Sequence, residues 1–149
     1  MISSRTVTDA VAAMLATGSG KPVGKGRQPA GNPAAYYILW RIDRQTYGAP
    51  YSDRNEDATL VYQVTSVSAP DPRNPDSFGT QDQLEWLEDK ARDVILGRDP
   101  TTGLWLHTLT VPGARIISRE PDTEAGGTPD PSDGIMSSAS RYTLRLTSP

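Results

Sequence analysis

Hydrophobic and polar residues repeat with two different periods along this chain, and each change of period marks a new element. Between residues 6 and 17, Val7, Ala10, Val11, Met14 and Leu15 fall at helical spacing and make one narrow, alanine-rich stripe. Thr6 or Thr8 suits the cap of this helix, Asp9 suits its positive end, and Gly18 is read as its stop. Residues 35–43, AYYILWRID, carry the strongest strand pattern. Tyr36, Ile38, Trp40 and Ile42 would share one face, which is wholly apolar or aromatic. Tyr37, Leu39, Arg41 and Asp43 would share the other, apolar only in its first half. A sheet covered by helices on one side has no need of Tyr37 and Leu39 on the other. A loop or a neighbouring subunit is therefore expected over that second face.

Residues 59–68 form a second strand, with Leu60, Tyr62 and Val64 alternating against Val61, Gln63, Thr65 and Val67. An antiparallel pairing with the first strand is the simplest topology. Pro70, Pro72 and Pro75 make 69–79 a rigid turn. Thr80 followed by Gln83 is a capping box that opens a second helix, closed by Gly97. Leu84, Leu87, Ala91, Val94 and Ile95 make its buried stripe, and Trp86 falls outside it. Residues 103–113 read as a short edge segment. Residues 114–120 read as a third main strand, with Ile116 and Ile117 on opposite faces. After a polar excursion over 121–139, residues 140–147 form the last strand, with Tyr142, Leu144 and Leu146 inward. The order α-β-β-α-β-β predicts an α+β fold of two layers, two helices on a mainly antiparallel four-stranded sheet. The reading is one domain over 1–149, with flexible loops at about 18–34, 44–58, 69–79 and 121–139.

Composition narrows the function classes. The 149 residues contain no cysteine, which excludes disulfides, thiolate metal sites and thiol nucleophiles. No apolar run approaches the roughly 20 residues that cross a bilayer, and residues 1–10 lack the pattern of a signal peptide. A soluble, intracellular protein is the expectation. A net charge of −3 argues against a dedicated nucleic-acid binder.

Candidate chemistry fails on spacing. The basic, glycine-rich 19–33 invites a phosphate-loop reading, but Ser19 stands where the first Gly is needed and Gly26 where Ser or Thr is needed. Asp53, Asn55 and Asp57 copy the start of a calcium loop, yet Ala58 replaces its Gly and Val64 its bidentate Glu. His107, the one histidine, has no nucleophile motif and no second ligand. Glu85, Glu88 and Asp89 read as a solvated helix face beside Lys90 and Arg92. The expectation is a protein that is not an enzyme, with no cofactor and no metal.

Gln63-Val64-Thr65-Ser66-Val67 closing a strand, then a Pro/Gly turn and a helix reading Gln83-Leu84-Glu85-Trp86-Leu87, resemble the tail terminator proteins of long-tailed (siphovirus-type) bacteriophages. The tyrosine-rich strand before them and a helix opening near residue 1 are similar as well. The resemblance covers 6–147 in element order and 60–97 in residue pattern. The segments 69–79 and 103–113 are longer than the family's pattern. Arginines outnumber Lys21, Lys25 and Lys90 among the fifteen basic residues, which suits a phage of a GC-rich actinobacterial host. The resemblance implies a subunit of a hexameric ring at the head-proximal end of the tail tube. That ring stops tube polymerisation and joins the tail to the head connector. The implied partners are other copies of the chain, the major tail tube protein and the head–tail connector protein. DNA passes the lumen without specific binding, and no membrane is involved. The implied location is the tail–neck region of the virion, after assembly in the host cytoplasm.

Five connecting segments longer than ten residues, and apolar residues on both faces of the first strand, also point to a subunit of an assembly. Arg41, Arg44 and Trp86 interrupt otherwise regular faces and, with Tyr47, are the residues expected at interfaces. The competing readings are another phage neck, head–tail joining or tail completion protein, and a small adaptor module binding through Trp86 and Tyr51.

Overall fold

The computed structural model describes residues 1–48, 56–74, 76–130 and 134–149. Its elements are α1 (Ser4–Ser19), β1 (Val23–Lys25), β2 (Ala35–Gly48), β3 (Glu56–Ser68), α2 (Gln81–Leu96), β4 (Arg115–Asp130) and β5 (Ile135–Thr147). The strands form one sheet in the order β1-β2-β3-β5-β4. The class is α+β, as the pattern predicts, but the sheet has five strands and is mixed. The additional strand, β1, runs parallel to β2 with Val23 opposite Tyr37 and Lys25 opposite Leu39. Three residues centred on a glycine carry no alternation to detect. Gly24 is required there, because a Cβ would stand 1.8 Å from the Arg27 carbonyl oxygen, where the chain folds back over the strand.

The strands are longer than their apolar patterns. Thr46, Tyr47 and Gly48 pair with Ala58, Asp57 and Glu56, so 44–48 and 56–58 of the expected loop are strand. Residues 121–130 and 135–139, expected to be a loop, continue the β4–β5 ladder through Gly126 opposite Ala139 to Asp130 opposite Ile135. The polarity of this stretch limits the core it can build. It does not limit pairing, which satisfies the backbone whatever the side chains are. Among the described residues only 69–80 and 97–114 remain as connections longer than ten residues.

Both helices lie on one side of the sheet, and the core between the layers is made by Val7, Val11, Leu15, Leu60, Tyr62, Leu87, Val94 and Leu144. On β2 it is Tyr37 and Leu39 that join this core. Tyr36, Ile38 and Trp40 face the other way, opposite Val67, Thr65 and Gln63. The wholly apolar face of β2 is thus the one without helices, the reverse of the expectation. Register decides it: Tyr37 and Leu39 stand opposite Ser66 and Val64, on the same side as Tyr62 and Leu60. The Tyr37 hydroxyl also donates to the Leu87 carbonyl of α2 at 2.7 Å.

Register shifts interrupt β2 once and β4 three times, and two of these bulges re-aim an arginine. In β2 the register shifts between Arg41 and Asp43, so Arg44 comes opposite Leu60 on the helix side. In β4 it shifts between Ile116 and Ser118, so Arg119 comes opposite Leu144 on the helix side.

The first helix starts earlier and ends later than its stripe suggests. Ser3 is the cap, accepting from the Thr6 amide, and Gly20 closes the helix with φ 71°. Gly18 lies inside α1, where a Cβ would meet the two Val94 methyls at 2.8 and 2.9 Å. Its role is the close approach of α2. The predicted box at α2 is completed through a third residue. Gln83 N–H donates to Thr80 Oγ1, Thr80 N–H donates to Ser68 Oγ, and Ser68 Oγ donates to Gln83 Oε1. Fully buried Ser68 so joins the end of β3 to the start of α2. In place of an edge strand, 97–114 forms only isolated bridges, Arg98 with Trp105 and Val111 with Ala114. It folds onto the core through Leu109 and Val111.

Candidate interaction surface

The open side of the sheet divides into two halves. The apolar half is made by Ile38, Trp40 and Ile42 of β2 with Val61 of β3. Trp40 is 43% exposed and Ile42, raised in the bulge, is 45% exposed. Tyr36 and Val67, at one end of this half, are buried yet stand apart from the main core. The Trp40 ring packs near Gly26, where the chain after β1 crosses. The polar half lies on β5 and β4. There Arg141 Nε donates to Gln63 Oε1 at 3.3 Å, and Arg145 stands 3.8 Å from Glu120.

The four residues expected at interfaces are not gathered in one place. Arg41 is exposed but stands opposite Tyr62, in the helix-side register. Tyr62 bonds Thr8 through its hydroxyl at 2.8 Å, and burial raises its pKa against the opposing pull of Thr8, Arg41 and Arg44. Arg44 has ties within its own chain. It reaches Glu56 Oε1 at 2.7 Å and Thr46 Oγ1 at 3.0 Å, and donates to Ser4 Oγ at the start of α1. Glu56 in turn accepts from the Ile2 amide at 3.0 Å. Tyr47 is 56% exposed near the end of β2, its hydroxyl on Gln45. Trp86 is 46% exposed on α2, with the Lys21 ammonium 5.5 Å from its ring centre. Trp86 therefore belongs to the helix layer, far in the fold from the open sheet face.

Trp40 and Ile42 are the surface residues that pattern reasoning missed. Its signal was present, a strand apolar on both faces, but the covered face was assigned to the wrong set.

His107 is half-buried, its Nδ1 3.1 Å from the position a Cβ on Gly18 would take, and its carbonyl accepts from Arg119 at 2.8 Å. Among the described residues no three His, Asp or Glu side chains cluster as metal ligands would. Lys25, in the basic loop, is paired with Asp9. Of the calcium-loop positions, Asp53 and Asn55 lie outside the described residues, as does Tyr51, while Asp57 sits in β3 opposite Tyr47. No described helix is long and apolar enough to cross a membrane. No protein-family model matches the chain, and no curated protein matches its sequence.

Proposed function

We propose that the chain is a structural subunit that assembles with copies of itself, and that it serves as a tail terminator of a long-tailed bacteriophage. Its copies close into a ring, a hexamer, on the head-proximal end of the tail tube. The ring stops tube growth and receives the head connector. The observation that carries self-assembly is the open sheet face. Trp40 and Ile42 are about half exposed at the centre of an apolar strip, while every other large apolar side chain on β2 and β3 before Tyr47 is at least partly covered. Large aromatic and aliphatic groups in that state gain most from burial against a second protein surface. The kind of assembly comes from the resemblance of 60–97 to tail terminators. A net charge of −3 suits a lumen that must let a duplex pass without holding it.

In light scattering after size exclusion at high protein concentration, a particle of six 16.1-kDa chains is expected. Added to polymerising tail tube protein, the chain should cap tube ends and fix their length. A protein that stays monomeric at all concentrations and leaves tube growth unchanged would overturn the reading.

A further inference from the structure

The two bulges deliver one arginine each to the helix side of the sheet, and the two arginines meet different surroundings. Arg44 finds a carboxylate, Glu56, at 2.7 Å. Arg119 is 5% exposed and pairs with no carboxylate among the described residues. Its Nη1 donates to the carbonyls of Ile95 and His107, at 3.3 and 2.8 Å, while its buried Nε has no partner among the described residues. The ion pairs among the described residues involve none of Arg98, Arg115 and Arg119. Burial, and second to it the neighbouring cation Arg98, bring the guanidinium pKa down to about 10. Both guanidiniums lie over the Trp105 ring, at 3.9 Å for Arg98 and 4.6 Å for Arg119.

Beside this stack is a recess of about 550 Å³, bordered by Trp105, Arg115 and Arg119 and walled by Leu109, Val111 and Ile116. Arg115 is exposed at its mouth. A buried guanidinium is costly unless an anion and hydrogen bonds match it. Here the hydrogen bonds are half supplied and the anion is missing, next to a space of ligand size.

We propose that the Trp105–Arg115–Arg119 recess binds a carboxylate carried on an apolar stem. The exposed Arg115 guanidinium can meet a carboxylate in two-point geometry, Arg119 adds its positive charge from the recess wall, and the aliphatic walls accept the stem. This site does not depend on the assembly reading. Its carboxylate has two possible sources, a free organic acid or an acidic side chain of a neighbouring copy.

The test uses the full chain, with hexanoate as the probe, followed by NMR of the Arg119 Nε–H and Trp105 indole N–H. Hexanoate should move both signals. Hexanamide, equal in shape and uncharged, and inorganic phosphate, charged and without a stem, should move them at least about tenfold less at equal concentration. Because Arg119 also holds two carbonyls, its replacement tests folding as well as binding. Arg115→Gln, at the exposed mouth, is the cleaner variant, and it should weaken hexanoate about threefold or more. Equal shifts with hexanoate and hexanamide, or none with hexanoate at about 50 mM, far above a millimolar Kd, would overturn the site. Light scattering then separates the sources. Loss of oligomer mass on adding hexanoate marks the acid of a neighbouring copy, and unchanged mass marks a free acid; both outcomes retain the site. A chain that is monomeric throughout, yet binds hexanoate at Arg119, would remove the assembly reading alone.

Discussion

Leu39 and Trp40 are neighbours in β2, yet the first is 1% exposed and the second 43%. Adjacent residues in a strand point to opposite faces, so this difference belongs to the two sides of the sheet. On the helix side, Tyr37, Leu39, Leu60, Tyr62 and Leu144 interlock with α1 and α2. On the open side, Trp40 has the chain after β1 beside it at Gly26 and still keeps 43% of its surface exposed. Residue type alone therefore does not say which face a helix will take. The neighbouring strand says it, because β3 has one face, through Leu60, Tyr62 and Val64, that can only be core.

The sharpest way to break this comparison is to truncate one large side chain on each face. Leu60→Ala, on the helix side with no exposure, should cost about 2–5 kcal/mol in urea unfolding, from lost burial and the cavity left behind. Gly18→Ala tests how tight that side is. The new methyl would press on Val94, whose branched side chain has little freedom, so a loss of roughly 1–3 kcal/mol is expected although alanine favours the helix. Trp40→Ser removes a larger side chain from the open face. It should cost only about 1 kcal/mol in the unfolding of the monomer, while abolishing the oligomer in light scattering. If it instead destabilises as Leu60→Ala does, the open face is core in its own right.

The smallest effect is expected at Asp9 on the outer surface of α1. Its hydrogen bond to Lys25 is the main reason its carboxyl titrates below the ordinary 3.8. A carboxyl lowered on folding adds stability that is complete above the unfolded value and is lost as pH falls through the folded one. Asp9→Asn should therefore lower the urea midpoint near neutral pH, but only slightly, since both partners are about half exposed and screened by solvent. Any difference from the parent should be full above pH 3.8 and disappear as pH falls below it.

Much of the fold is legible where one residue pattern has one physical solution. The stripe and cap of α2 are of this kind, as is the inward set of β5, Tyr142, Leu144 and Leu146. The illegible parts share another character. The bulges at Ile42 and Ile117 each insert one residue and so invert the assignments that follow, in β4 as far as the next register shift after Pro121. Regular alternation from an inward Ile116 sends Arg119 outward, and only the partner strand reveals that it turns in. The extension of β4 to Asp130 rests on backbone bonds that leave no mark on side-chain polarity. The open face was half legible. Its apolar residues were recognised, but Trp40 and Ile42 were assigned to the side that receives the helices. The recess beside Trp105 was hidden, because Arg98, Trp105 and Arg119 come from segments with no common pattern.

The position of β3 has a consequence for how the molecule is made. One of its neighbours, β2, is a hairpin away, but the other comes from far along the chain. Ser68 waits for Met136, 68 residues later, and Asp57 for Thr147, 90 residues later. Closing so long a loop costs chain entropy before any contact returns it, so folding is expected to be slow for a chain of this size. Until β5 arrives, β3 presents a bare edge and an unfinished core, a template on which another unfinished chain can pair. Refolding yield should therefore fall as protein concentration rises, and the interval before β5 docks is when the chain is most exposed to aggregation.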